Sequence, residues 1–213
     1  MAFSFPKIYP ILDSSVIPSQ NRADFLHRLG SELAAAGVTL LEYRNKTGGD
    51  AEILSDAAIL RAALPVPNLK LLLDDRADLV DQTGFDGVHV DAGDIPAAEA
   101  RQFLGPAKII GTFGGSIEFL PGALDGPADY LAIGPVFATT TKQTSTPPIG
   151  PEGVRRLRSL AGPARVLTAA GGVTLASAPA ILAAGASAVA VSAAIFRTPD
   201  PAGEFRRWLK ELG

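Results

Sequence analysis

Short apolar runs recur along this chain at intervals of roughly 20 to 35 residues. They are Ile8–Leu12, Val38–Tyr43, Leu69–Leu73, Gly87–Val90, Lys108–Gly111, Tyr130–Ile133, Arg165–Ala169 and Ala188–Val191. Several are β-branched or almost wholly apolar, as strands buried on both faces of a parallel sheet must be. The segments between them have helical spacing. Asp24–Ala36 sets Phe25, Leu29 and Leu33 at i, i+4 and i+8, on one face of a helix. Ala51–Leu64 and Ala97–Leu104 read the same way, and the short, Ala-rich Leu175–Ala184 suits close packing on a sheet.

Eight strand-like runs alternating with about eight helical segments predict a closed (β/α)8 barrel, the TIM-barrel architecture, with residues 1–213 as one domain. The competing architecture, an open doubly wound sheet, would show fewer strands and a glycine-rich turn after the first. Here the first run ends Leu12-Asp13-Ser14-Ser15, and the glycines cluster late. No linker divides the chain. Thr139–Gly150, rich in Thr and Pro, reads as a long loop after the sixth strand. Loops of that length form lids or binding loops, or are disordered.

Composition narrows the function. Of 213 residues 47% are apolar, and 19 basic and 22 acidic residues are interspersed to a net charge of −3. No basic stripe suits nucleic acid, so the expected partner is a small molecule. The absence of cysteine excludes disulfides, thiolate nucleophiles and Cys-ligated metals, and fits a cytoplasmic location. Met1–Lys7 lacks the pattern of a signal peptide. The most apolar stretch, Ala178–Phe196, is broken by Gly185 and Ser187, so no membrane span is expected. The oligomeric state is left open, a homo-oligomer included.

Four groups of residues carry candidate chemistry. Ala169-Ala170-Gly171-Gly172-Val173 follows the seventh strand, where paired glycines let backbone N–H groups approach an anion. Val191-Ser192-Ala193 follows the eighth and opens a short helix. A phosphate between these two loops is a recurrent arrangement in this fold; the plain alternative is a tight turn without ligand. Asp74 and Asp75 end the third strand, and Asp91 and Asp94 follow the fourth. Carboxylates converging there, Asp75 with Asp94 above all, suit Mg²⁺ shared with a substrate phosphate, unless they cap helices or face solvent. Glu42, Arg44 and Lys46 alternate on the second strand and its tip, sharing one direction. If that direction is the barrel mouth, two cations face the carboxylates, ready for a multiply anionic group. After the sixth strand, Thr139 and Thr141 offer hydroxyls and Lys142 a charge, or else form a flexible loop. His89 pairs with no nucleophile by spacing and serves as well as a packed strand-end residue; His27 reads as surface.

Together these groups resemble the thiamine-phosphate synthase family, over nearly the whole chain from Tyr9-Pro10-Ile11-Leu12-Asp13 to Ile195-Phe196. The most specific pieces are Gly134–Lys142, Asp86-Gly87-Val88-His89 and Gly171-Gly172. The resemblance implies a Mg²⁺-dependent transferase that joins an aminomethylpyrimidine diphosphate to a thiazole phosphate and releases pyrophosphate. It implies that Arg44, Lys46 and Lys142 hold the diphosphate and that Asp75 and Asp94 bind Mg²⁺. Thr139, Thr141, Gly172, Val191 and Ser192 would then hold the thiazole phosphate, with Glu42 and Asp74 beside the substrates.

The chain also departs from the family pattern. Glu42 and Asp74 stand where the family usually has Gln and Asn, each adding an acid beside the diphosphate site. The family's His-Leu-Gly-Gln-x-Asp turn is His89-Val90-Asp91-Ala92-Gly93-Asp94, without the Gln. Phe113-Gly114-Gly115 replaces Ser-x-His, whose histidine the related thiazole tautomerases use, and Thr174-Leu175 replaces the asparagine after the strand-7 glycines. Three functions follow as expectations. The first is a working synthase. The second is a diverged paralogue that binds a thiazole-type phosphate in a binding or regulatory role. The third is another barrel enzyme acting on a sugar phosphate.

Overall fold

In the computed structural model the eight apolar runs become eight parallel strands that pair in chain order and close, β8 against β1. The structure describes residues 4–91, 93–115, 120–139 and 146–213. The strands are β1 (Ile8–Asp13), β2 (Leu40–Arg44), β3 (Lys70–Asp74), β4 (Gly87–Val90), β5 (Ile109–Gly115), β6 (Tyr130–Ile133), β7 (Val166–Ala170) and β8 (Ala188–Val191). The helices among the described residues are α1 (Arg22–Ala36), α2 (Asp50–Ala63), α3 (Val80–Thr83), α4 (Ala97–Leu104), α5 (Leu120–Leu124), α6 (Gly150–Ala161), α7 (Ala178–Ala183), α8 (Ala193–Phe196) and α9 (Pro201–Leu212). None of them is long and apolar enough to cross a membrane.

β1, β2, β3 and β7 each run one residue past the last apolar position of their runs. Ladder hydrogen bonds ignore side-chain polarity, so pairing continues through Asp13 opposite Arg44 and Asp74 opposite His89. That extra residue fixes acids and a cation rigidly at the carboxyl ends of the strands. On α1 the buried stripe is Leu26, Leu29, Leu33 and Ala36, with Phe25 only partly covered, so the helix sits rotated toward Leu26 from the face its periodicity marked.

Alternation along each strand divides two cores. Outward residues such as Leu41, Leu73, Val88, Leu131, Leu167 and Val189 pack beneath the helices in the main core. Inward residues form a smaller cluster of Tyr9, Leu40, Leu72, Tyr130 and Ala190, on which Phe5, Ile109 and Val166 pack. This second cluster fills the amino-terminal half of the barrel and makes the floor of the space above it. Gly111 is needed there, because a Cβ at that position would lie 2.0 Å from Cζ of Tyr130.

Candidate functional site

Above that floor a cavity of about 390 Å³ opens at the carboxyl ends of the strands. Its wall includes Glu42 and Arg44 of β2, Asp74 of β3, His89 of β4 and Thr168 of β7. Ile11, Phe113 and Ala132 give it apolar surface for flat, uncharged groups.

A chain of hydrogen bonds runs through the floor. The hydroxyl of Tyr9 shares a short hydrogen bond with Oε2 of Glu42 and lies 2.6 Å from the hydroxyl of Tyr130. The Tyr130 hydroxyl in turn lies 3.1 Å from Nδ1 of His89. Glu42, Tyr9 and Tyr130 are almost wholly out of water. Burial, then the charge of Asp74, pushes the Glu42 carboxyl well above the usual range, outweighing its Tyr9 bond and Arg44. Burial and Glu42 together raise both tyrosines as well.

On the β1–β4 side the charged residues interlock. Arg44 forms an ion pair with Asp13 and brings Nε to 3.3 Å from Oδ2 of Asp74. Lys46 places Nζ 3.1 Å from the same oxygen and pairs closely with Asp75. Burial and the Asp75 charge push Asp74 up to about 7, against the pull of Lys46 and Arg44. Burial also raises Asp13, but the bonds from Ser15 and Arg44 overcome it and hold that carboxyl below its usual range. Asn45, a buried residue not singled out in the sequence, pins the turn that follows β2. The Asn45 Oδ1 accepts from Ser14 Oγ at 2.9 Å and Gly48 N at 2.8 Å, while its Nδ2 donates to Glu52 Oε1 at 2.8 Å.

Asp75 sits at φ 63°, in the left-handed region that a carboxylate tolerates better than most side chains. Its N–H donates to the His89 carbonyl at 2.8 Å, which ties the end of β3 to β4. Its carboxyl meets that of Asp94, and its Oδ1 is buried with no hydrogen-bond donor. Burial pushes the Asp75 carboxyl up and Lys46 pulls it down, with Asp94 adding to the rise. Asp94 is itself steadied by the Asp91 N–H, which donates to Oδ2 at 2.7 Å. No group of three or more His, Cys, Asp or Glu is gathered for a metal among the described residues. Two touching carboxyls with a buried oxygen lacking a donor do fit Mg²⁺, which uses one or two carboxylates and fills its sphere with water and phosphate oxygens.

The opposite side of the cavity is made of backbone. Gly171 and Gly172 take φ of 90° and 66°, and the β6 loop lies directly against them. The N–H of Val136 donates to the Ala170 carbonyl at 2.8 Å and that of Phe137 to the Gly171 carbonyl at 3.0 Å. A Cβ on Gly172 would meet the Ala138 carbonyl oxygen at 2.4 Å, so only glycine fits that approach. Val191 and Ser192 close this end where α8 begins, and Thr139 completes the wall. Glu42, Arg44, Asp74, Thr139, Gly172, Val191 and Ser192 therefore share one cavity. Lys46 and Asp75 adjoin its wall residue Asp74, and Asp94 meets Asp75. Thr141 and Lys142 lie outside the described residues.

A family model described as thiamine monophosphate synthase matches residues 8–195. The chain belongs to this family. It is 42% identical over 201 residues to a thiamine-phosphate synthase of Koribacter versatilis, covering 94% of each chain. It is 40% identical over 173 residues to one of Agrobacterium fabrum, covering 79% of each. Among solved structures it resembles a thiamine phosphate pyrophosphorylase from Pyrococcus furiosus with a TM-score of 0.81, at 27% identity and 97% coverage of both chains.

Against the family pattern, the two added acids occupy special ground. Glu42 and Asp74 are the wall carboxyls that burial shifts toward the neutral acid form, which has the shape and hydrogen-bonding range of the family's Gln and Asn. Tyr9, Tyr130 and Asp13 were not singled out in the sequence as site residues. Tyr9 and Tyr130 read as ordinary apolar strand positions there. The available signal was a phenol in a run otherwise buried on both faces, since a buried hydroxyl needs a partner.

Proposed function

We propose that this chain is a thiamine-phosphate synthase that joins 4-amino-2-methyl-5-hydroxymethylpyrimidine diphosphate to thiazole phosphate and releases pyrophosphate. One observation carries the reading: a single cavity has a cation and carboxyl cluster on one side, a glycine-backbone cradle on the other, and apolar wall between them. That is the layout for two anionic substrates whose rings must meet in the middle.

Arg44, Lys46 and Lys142 bind the diphosphate. Nη1 and Nε of Arg44 already face Asp13 and Asp74, which hold the guanidinium in place while Nη2 can still donate. Asp75 and Asp94 would hold Mg²⁺, which when bound neutralises charge building on the leaving diphosphate. Glu42 packs beside the pyrimidine end with its carboxyl shifted toward the neutral acid, and Asp74 next to it is held by Arg44 and Lys46, so neither sets an unbalanced charge against the diphosphate. The backbone around Gly172, Val191 and Ser192, with the hydroxyls of Thr139 and Thr141, holds the thiazole phosphate.

The C–O bond to the diphosphate breaks with its electron pair leaving on oxygen, and the electron-rich pyrimidine stabilises the carbocation. The thiazole nitrogen donates its lone pair to that carbon, forming the C–N bond. No protein nucleophile is required, in keeping with a chain that has no cysteine. The apolar wall excludes water that would otherwise capture the carbocation. The partners are small molecules, and the cysteine-free composition suits a cytoplasmic setting.

The test is direct. Purified protein given both substrates and Mg²⁺ yields thiamine phosphate and pyrophosphate in equal amounts, and a chelator stops the reaction. Asp75→Ala lowers turnover on the order of 100-fold while circular dichroism stays native. Absence of product under these conditions removes the functional reading, and undiminished turnover in Asp75→Ala removes the metal assignment.

A further inference from the structure

We propose that Glu42 operates as a neutral carboxylic acid in the substrate cavity, its proton held by a hydrogen-bonded relay through Tyr9 and Tyr130 to His89. The inference rests on reading this cavity as the diphosphate site and goes beyond it by assigning positioning roles to residues of the barrel floor.

The geometry constrains the proton. Glu42 is 2% exposed, so ionising it would place a charge where water cannot solvate it. The charged and titratable groups facing it are Tyr9 from β1, Arg44 from its own strand, Asp74 from β3, His89 and Asp91 from the β4 side, and Tyr130 from β6. Arg44 is the one permanently charged cation among these described residues and is already engaged by Asp13 and Asp74. An ionised Glu42 would therefore add to a crowd of carboxyls with no cation of its own.

The relay gives the neutral form a complete set of partners. Glu42 donates its acid proton to the Tyr9 oxygen, Tyr9 donates to Tyr130, and Tyr130 donates to Nδ1 of His89. The spacings of 2.6 Å and 3.1 Å along the last two links are hydrogen-bonding distances that admit this order. In this order His89 accepts at Nδ1, while its Nε2 faces Asp91 Oδ1 at 3.9 Å. If Glu42 ionised, the whole chain would reverse: Tyr9 would turn its proton to the carboxylate and His89 would have to donate. The protonation of Glu42 is thus coupled to every hydroxyl in the floor.

The consequence is a limit on alkaline activity. Burial and Asp74 both favour the protonated form of Glu42. Raising the pH through the point where it leaves puts a negative charge beside the diphosphate, and the KM for that substrate rises. Tyr130→Phe removes the acceptor for the Tyr9 proton, frees Tyr9 to donate to the carboxylate, and so favours ionisation.

Infrared difference spectroscopy reads the proton without requiring turnover. At neutral pH the wild type shows the carbonyl stretch of a protonated carboxyl that Glu42→Gln loses. On titration to alkaline pH that band disappears, and in Tyr130→Phe it disappears lower by on the order of one pH unit, about the worth of one hydrogen bond. In steady-state kinetics the KM for the pyrimidine diphosphate climbs over the same pH range in the wild type, and Glu42→Gln has no such climb. Identical protonated-carboxyl bands in wild type and Glu42→Gln overturn the proposal. So does a KM climb that persists in Glu42→Gln, and neither result depends on Tyr130→Phe folding. A protein with the Glu42 band but no thiamine phosphate at any pH upholds the relay and removes the functional reading instead.

Discussion

Asp74 shows how far a single carboxyl can be pushed by its setting. Two cations touch it, yet burial and the adjoining Asp75 raise it to about 7 from an ordinary 3.8. A folded value above the unfolded one means that the native state binds the proton more tightly. The stability this proton contributes is fully present below about pH 4 and is lost as pH rises through 7. The thermal midpoint of the wild type is therefore expected to fall across that window relative to Asp74→Asn, which has no proton to lose. Parallel midpoint curves for the two proteins, measured by calorimetry in the presence of a chelator, would refute the assignment. The same residue marks a limit of sequence reading. Asp74 was legible as part of an acidic cluster, but its neutral tendency arises from burial at the end of β3, which no spacing rule reveals.

At the scale of the element, the glycine turn after β7 is the most sharply determined piece of the site. Gly172 combines a positive φ with a carbonyl oxygen 2.4 Å from where a Cβ would stand. Gly172→Ala must move the β6 loop or distort the turn, and either opens the cradle. The expected result is a rise of about tenfold in KM for thiazole phosphate, equivalent to ~1.4 kcal/mol, with the KM for the diphosphate substrate little changed. Equal effects on both substrates would mean that the turn supports the barrel and not one ligand. This element was plain in the sequence because glycine pairs have few reasons to follow a buried strand. The strands were legible too: β4, β6 and β8 begin and end where their apolar runs do. The floor was not legible. Tyr9 and Tyr130 lie far apart in sequence and meet only because the barrel closes, and Gly111 gives no sign in the sequence of the ring that fills its space.

Across the whole molecule, closure of the barrel brings together loops from both ends of the chain, and α9 helps secure it. This helix packs on α1 and buries Trp208 completely, with Nε1 donating to Glu204 Oε1 at 3.0 Å. Trp208→Ala should cost about 3–5 kcal/mol of stability in urea unfolding followed by circular dichroism. A loss below 1 kcal/mol would show that α9 adds little to the barrel. The barrel architecture itself followed from counting eight runs, whereas the meeting of the rim residues depended on strand register, which apolar patterning leaves undetermined.

On the proposed layout the two anionic ends of the substrates occupy opposite sides of one cavity. A crystal structure of the protein with thiamine phosphate, pyrophosphate and Mg²⁺ addresses it most directly. The thiamine phosphate group is expected against Gly172, Val191 and Ser192, with pyrophosphate on Arg44 and Lys46 and the metal at Asp75 and Asp94. Either anion bound outside that cavity, or a metal held by other residues, would contradict it.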